Sequence, residues 1–310
     1  MAHAGLLPLL RLTENIGFAD LAAARIRIPG PAGANPNTKL MSLIAGMAAG
    51  ADSIDDCDVL RNGAMDRLFR GIRAPSTVGT FLRGFDIGHT TALEAFAAQI
   101  LTRLARTTSR LLPGIGDYAI VDLDSKITRV YGQRKVGANH GYTHTRGYNF
   151  LAATLATPIA APVILATRLR GGQADSRRNA TSFITQALRT ARGCGATGQL
   201  LVRGDSGYYV CSLIHAIVDD GARFSVTMRW HTGLQTVIES IADEDWIPIT
   251  YATPVFDEHT QTWIHTAQVA ETDYTAFTNP TAHPEGPITA RLIVRRYRVE
   301  TRTEQGELFP

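Results

Sequence analysis

Cysteine is scarce in this chain. Only Cys57, Cys194 and Cys211 carry thiols among 310 residues, and no two stand at a disulfide-scaffold or zinc-site spacing. Reduced, structural thiols are therefore expected, and a small stapled secreted fold is excluded. Long apolar runs are also missing. No segment approaches the ~20 apolar residues that a membrane-spanning helix needs. The apolar opening Leu6-Leu7-Pro8-Leu9-Leu10 is short and broken by proline, so no signal peptide is expected. A cytoplasmic protein without a membrane partner is the expectation. Charge is not abundant either. Charged residues make up 19% and hydrophobic residues 45%, which suits a soluble globular chain with a large core or two domains.

The net charge of +3 is small, but it is unevenly spread. Between Lys126 and Arg203 stand twelve Lys and Arg and one acid, Asp175. Acids gather later, at Glu239, Asp243, Glu244, Asp245, Asp257 and Glu258. A one-signed central segment suggests a surface that meets a polyanion, although a solvated basic face would read the same way.

Residues 1–112 read as helices. A first helical region over 5–24 ends at the Pro- and Gly-rich loop 29–36. Ser53 and Ser76 are candidate caps. Thr91 and Glu94 form a capping-box pattern before the apolar stripe Leu93, Phe96, Ala97, Ile100, Leu101 and Leu104. This region could bind DNA or pair with a second copy in a homodimer, and core packing explains its stripes equally well.

Residues 113–229 change to strands and helices. Strands are expected over 118–124, 142–153, 162–169 (apolar, hence buried), 199–203 and 223–229. A glycine-punctuated hairpin connection spans 132–141. A helix capped by Asp175 or Ser176 runs to about Arg192, and another covers 208–219. Residues 230–310 follow with one helix over 234–242 and β-prone runs over 246–252, 261–269 and 289–301. The fold class is α/β: a ribonuclease H-like mixed sheet with an N-terminal helical domain and a β-rich insertion.

Chemistry concentrates at Asp122-Leu123-Asp124. Residues two apart on a strand share a face, so both carboxylates sit together and need a cation or a shared proton. Asp205, in Gly204-Asp205-Ser206-Gly207, follows another apolar strand. In a parallel arrangement the two strand ends would lie side by side. Carboxylates there can hold Mg²⁺ or Mn²⁺, which prefer hard oxygen ligands and assist phosphoryl transfer. Gly204 and Gly207 would let a polyanionic backbone approach closely, whereas a plain turn explains this tetrapeptide equally well. Nearby stand Arg134, Lys135, His140, Tyr142, His144, Arg146 and, by Asp205, Arg203. These side-chain types grip phosphates, and interleaved aromatics stack on unpaired bases. Metal-dependent phosphodiester chemistry on DNA is the reading of the residues. A polar exposed hairpin remains the bland reading of any one of them.

Val121-Asp122-Leu123-Asp124-Ser125, the run from Val130 to Ala138, Gly141-Tyr142, Arg146-Gly147-Tyr148 and Arg203-Gly204-Asp205-Ser206-Gly207-Tyr208 resemble the DDE transposases of insertion-sequence elements. The match is nearest to the insertion-sequence 1380 family within the insertion-sequence 4-like group. The resemblance implies cut-and-paste transposition with divalent metal, acting on terminal inverted repeats and target DNA. It makes Asp124, or else Asp122, the first catalytic acid and Asp205 the second. A third, a Glu on a helix after the β insertion, finds no match. Glu300, Glu304 and Glu307 fall in a strand or tail. The expectation is a truncated transposase, whose product could instead bind DNA without cutting and inhibit the full enzyme. A haloacid dehalogenase-type phosphatase shares Asp-x-Asp, but Lys126 stands where that motif wants Thr or Val.

Overall fold

The computed structural model describes residues 3–63, 65–132, 135–141, 144–175, 177–257 and 262–297. The chain divides into two compact units, Met1–Thr227 and Met228–Pro310.

The first unit opens with helices α1 (Leu7–Asn15), α2 (Phe18–Arg25), α3 (Pro36–Ala48), α4 (Pro75–Arg83) and α5 (Ile87–Thr107). The helical region expected over 5–24 is divided at Gly17, whose φ of 65° is left-handed and suits glycine. The break lets α2 turn its buried Phe18 onto Phe96 of α5, with ring centroids 5.2 Å apart. Phe18, Leu21, Ile26, Leu40, Phe81 and Phe96 share one core.

The capping box of α5 is not Thr91 with Glu94. Asp86 is the N-cap: its carboxylate accepts the His89 N–H at 3.1 Å, while His89 Nδ1 accepts the Asp86 N–H at 3.1 Å. The helix thus starts a turn earlier than expected, and Glu94 is left for another partner. Ser76 caps nothing, because Pro75 opens α4 behind Ala74. Ile54, not Ser53, stands at the N-cap of the 3-10 helix Asp55–Arg61, and Ser53 exchanges hydrogen bonds with Asp56.

A mixed sheet follows. Its strands are β1 (Tyr118–Arg129), β2 (Asn139–His140), β3 (Arg146–Thr157), β4 (Ala160–Gly171), β5 (Gln199–Gly204) and β6 (Arg223–Val226). The order is β2-β3-β1-β5-β6, with β4 also on β3. β1 and β3 are antiparallel, as are β3 and β4, while β1, β5 and β6 run parallel. The apolar β4 is not an interior strand. Among the described residues it pairs only with β3, and Ile164 is 67% exposed. Helices α6 (Ala180–Cys194) and α7 (Cys211–Asp219) complete the unit. Asn179, not Asp175, precedes α6, and Ser176 lies outside the described residues.

The sheet has two unlike faces. Ala119, Val121 and Leu123 of β1, Leu151, Ala153 and Leu155 of β3, and Leu200 and Val202 of β5 are buried. Their alternating neighbours are half-buried or exposed. α6 covers the buried face, with Phe183, Ile184, Ala187, Leu188 and Ala191 turned inward at helical spacing. Arg168 of β4 reaches into this layer. It donates to Glu94 of α5 at 3.2 Å and to Ser182 and Gln186 of α6.

The second unit holds helix α8 (Thr232–Glu239) and an antiparallel sheet of β7 (Ile247–Asp257), β8 (Thr262–Ala276) and β9 (Ile288–Arg296). Leu234, Trp246, Ala267 and Ala270 are buried, and the Arg296 guanidinium lies 3.8 Å from the Trp246 ring centroid. No helix of the described residues is long and apolar enough to cross a membrane.

Candidate active site

β1 was expected to end at Asp124, but it runs on to Arg129. What ends near Asp124 is its pairing with β5. The parallel register pairs Val121 with Val202 and Asp122 with Arg203, and β5 stops at Gly204. Up to Asp122 the strand is interior. Beyond it, only β3 remains alongside. The acids therefore sit at a notch in the sheet.

Within that notch the two acids of β1 differ. Asp122 accepts two bonds from its register partner, Arg203 Nε at 2.5 Å and Nη2 at 2.8 Å. This paired fork satisfies the carboxylate without a cation. Arg203, read from sequence as a phosphate contact, is engaged by Asp122.

Two residues further along each strand stand Asp124 and Asp205. Side chains alternate, so Asp124 shares the open face of Asp122. Asp205 keeps extended backbone, φ −74° and ψ −177°, and so continues the alternation of Arg203. The backbone pairing stops at Asp122 and Arg203, two residues short of Asp124 and Asp205, so both acids stand just past the last register pair on the open side of the sheet. Both are exposed. Asp124 Oδ1 accepts the Ser125 N–H at 2.7 Å, and Asp205 Oδ1 accepts the Gly207 N–H at 2.8 Å. The second oxygen of each accepts no bond from a described residue. Two such carboxylates, each with an open oxygen, suit a hard divalent cation. Among the described residues no group of three or more acidic, His or Cys side chains is arranged to hold a metal, and Glu300, Glu304 and Glu307 lie outside them.

Beneath the acids lies a residue the sequence reading passed over. Tyr208 closes the 3-10 turn Ser206–Tyr208 that Asp205 caps, and its N–H donates to the Asp205 carbonyl at 3.0 Å. The side chain is 1% exposed. Its ring fills the space over Gly204, where a Cβ would stand 3.1 Å from Tyr208 Cβ. Gly204 is thus open to the tyrosine ring on the covered face, not to a polyanion. Burial, then the charges of Asp124 and Asp205, push the phenol pKa well above its ordinary value. One side chain therefore feels both carboxylates. Its hydroxyl is buried and has no hydrogen-bond partner among the described residues.

Arg170 lies on the same covered face. It is 7% exposed. It donates to Asn149 Oδ1 through Nε and Nη2, and to the carbonyls of Asp175 and Arg178 at 2.8 and 2.6 Å. Burial holds its pKa below the usual guanidinium value, opposed first by Tyr208.

The hairpin residues form a separate cleft of about 380 Å³, lined by Arg129, Tyr131, His140, His144 and Arg146 among others. The Arg129 guanidinium lies 5.2 Å from the Tyr131 ring centroid. Arg146 donates to the Gly132 carbonyl at 2.9 Å. Lys135 is exposed and lines no part of the cleft. Arg134 and Tyr142 lie outside the described residues. A larger cavity of about 610 Å³ opens among α1, α3 and residues 67–72, away from the acid pair.

No curated protein matches the chain. Solved structures give slight likenesses. A pre-cleavage Mos1 transpososome is 10% identical over 60% of this chain and 58% of its own, with a TM-score of 0.22. The Mos1 strand transfer complex is 8% identical over 65% and 63%, also at 0.22. The chain thus spans under two thirds of either, and such scores carry no argument. The family model is decisive: "Transposase DDE domain group 1" matches residues 1–304. The chain belongs to the group 1 family of DDE-domain transposases.

Proposed function

We propose that the chain is a DNA transposase of the insertion-sequence 1380 family, within the insertion-sequence 4-like group, built on a ribonuclease H-like sheet. The observation that supports it most is the parallel register that ends at the Asp122–Arg203 pair, two residues short of Asp124 and Asp205. In this reading Asp124 and Asp205 hold Mg²⁺ or Mn²⁺ through their open oxygens. A bound cation would polarise the scissile phosphoryl oxygen and favour deprotonation of the attacking water. The protein's own groups do the rest. The Arg203–Asp122 pair cancels one of the three carboxylate charges, which limits their repulsion of an incoming phosphate. The cleft of Arg129, His140, His144 and Arg146 takes DNA backbone, and Tyr131 offers a ring to a base.

The test is incubation of the chain with DNA carrying the element's terminal inverted repeats. The chain should retard that DNA without metal and cut it with Mn²⁺. Asp205→Ala should keep the retardation and lose cleavage. Cleavage retained in Asp205→Ala would remove that residue from the site.

One observation favours a narrower reading. No third carboxylate joins the pair among the described residues. A chain that binds element ends and blocks the complete enzyme would give retardation in the wild type with no Mn²⁺-dependent cutting.

A further inference from the structure

We infer that Lys126 is a substrate-contacting residue of the candidate site, a point charge that grips a DNA phosphate drawn to the cation-loaded acids; this rests on the metal and DNA readings above. Lys126 stands two positions beyond Asp124 on β1, and the β1–β3 register runs from Ile120 to Arg129 without a bulge. The alternation is unbroken, so Asp122, Asp124 and Lys126 present their side chains to one face of the sheet. Two residues of strand advance about 6.6 Å, a distance that a flexible lysine stem crosses. The pairing of β1 with β5 has already ended at Asp122, so Lys126 borders the same notch as the acids.

Lys126 is exposed, and its ammonium makes no hydrogen bond or ion pair with a described residue. Other cations of this sheet are engaged. Arg203 is held by Asp122, Arg170 by Asn149 and two carbonyls, and Arg146 by the Gly132 carbonyl, while Arg129 lies over the Tyr131 ring. Phe150 stands opposite Lys126 in register and is half-buried. It gives the lysine stem an apolar neighbour on the β3 side and leaves the charged head to the notch.

The charges of the notch require such a group. Arg203 cancels Asp122, and a bound divalent cation would cancel Asp124 and Asp205. The acids are then neutral as a set, while a phosphodiester brings one negative charge of its own. Lys126 supplies the matching positive charge on the same face. Without the cation, Asp124, Asp205 and Lys126 together carry one net negative charge, which repels phosphate. Lys126 therefore holds DNA in the metal-bound state alone.

Lys126→Met keeps the stem and removes the charge. The test measures affinity for a fluorescent duplex carrying the element's terminal inverted repeat, by anisotropy over a range of salt, in Ca²⁺ and in EDTA. Ca²⁺ takes the same hard oxygen ligands and lets binding be read apart from cutting. In Ca²⁺, Lys126→Met should bind about tenfold more weakly. The slope of log affinity against log salt should shrink by about 0.9, as one phosphate contact is lost. Lys126→Arg should restore both. In EDTA the variant and the wild type should bind alike, and Mn²⁺ affinity without DNA should not weaken. Equal affinity and slope in Ca²⁺ would overturn the inference and leave the DNA reading standing. A loss of the same size in EDTA, or weaker Mn²⁺ binding by Lys126→Met, would also overturn it. A wild type that binds no Mn²⁺, or none of the duplex, would overturn the reading beneath it as well.

Discussion

Asp122 and Arg203 face each other in parallel register, and their side chains form a two-pronged pair at 2.5 and 2.8 Å. The pair sorts the acids. In the proposed reading it withdraws Asp122 from metal binding and leaves Asp124 to act with Asp205.

Arg203→Gln should set that sorting aside. Asp122 would lose its counter-charge and add its field to the other two acids. Removing one unit charge a few ångströms away is worth about 1 kcal/mol in water, or about fivefold in affinity. Mn²⁺ binding is expected to tighten by that order while DNA retardation weakens. Because both side chains are over a third exposed, the folded state should lose under about 1 kcal/mol. Weaker Mn²⁺ binding would contradict the sorting.

Gly204→Ala should be costly although the site is a strand end. The new methyl would meet Tyr208 Cβ at 3.1 Å and its ring at 3.2 Å. Overpacking of this kind costs about 1–3 kcal/mol. A urea midpoint unchanged from wild type would show that the ring does not rest there.

Arg170→Met removes a buried cation that donates four hydrogen bonds. Asn149, itself 1% exposed, would keep no donor at Oδ1, and two loop carbonyls would lose theirs. Leaving buried polar groups unmatched should cost about 3 kcal/mol, measurable by chemical denaturation. A neutral effect would mean that water replaces the guanidinium.

Glu94 gives a pH signature. Burial raises its pKa above the ordinary 4.5, against the opposing pull of Arg168. A carboxyl with a raised folded-state pKa binds more protons when folded than when unfolded. Its stabilising contribution is therefore full at pH below 4.5 and is lost as pH rises through the folded value. Against Glu94→Gln, the wild type should be relatively more stable at pH 4 than at pH 7. A difference that does not vary with pH would contradict this.

The motifs of the candidate site are legible in the chain. Asp-x-Asp after an apolar run and Gly-Asp-Ser-Gly after another are local signals. The choice between Asp122 and Asp124 was not local. It depends on β5 stopping at Gly204 and on Arg203 standing opposite Asp122, which is a register and cannot be read from either strand alone. Tyr208 went unmarked because its meaning lies in the burial of its ring over Gly204, which no local pattern announces. Arg170 and Arg168 read as part of a basic surface, yet both are withdrawn among Asn149, Glu94 and α6. The start of α5 was misplaced because His89 fills the role that capping boxes usually give to Glu or Gln. β4 looked buried from its apolar run, but a strand with one neighbour and one covered face exposes half of it.

The most direct measurement is Mn²⁺ binding to the chain by electron paramagnetic resonance, comparing wild type with Asp122→Asn, Asp124→Asn and Asp205→Asn. The wild type should bind Mn²⁺, Asp124→Asn and Asp205→Asn should each abolish binding, and Asp122→Asn should retain it. Undiminished binding in Asp124→Asn or Asp205→Asn would contradict a cation shared between these two carboxylates.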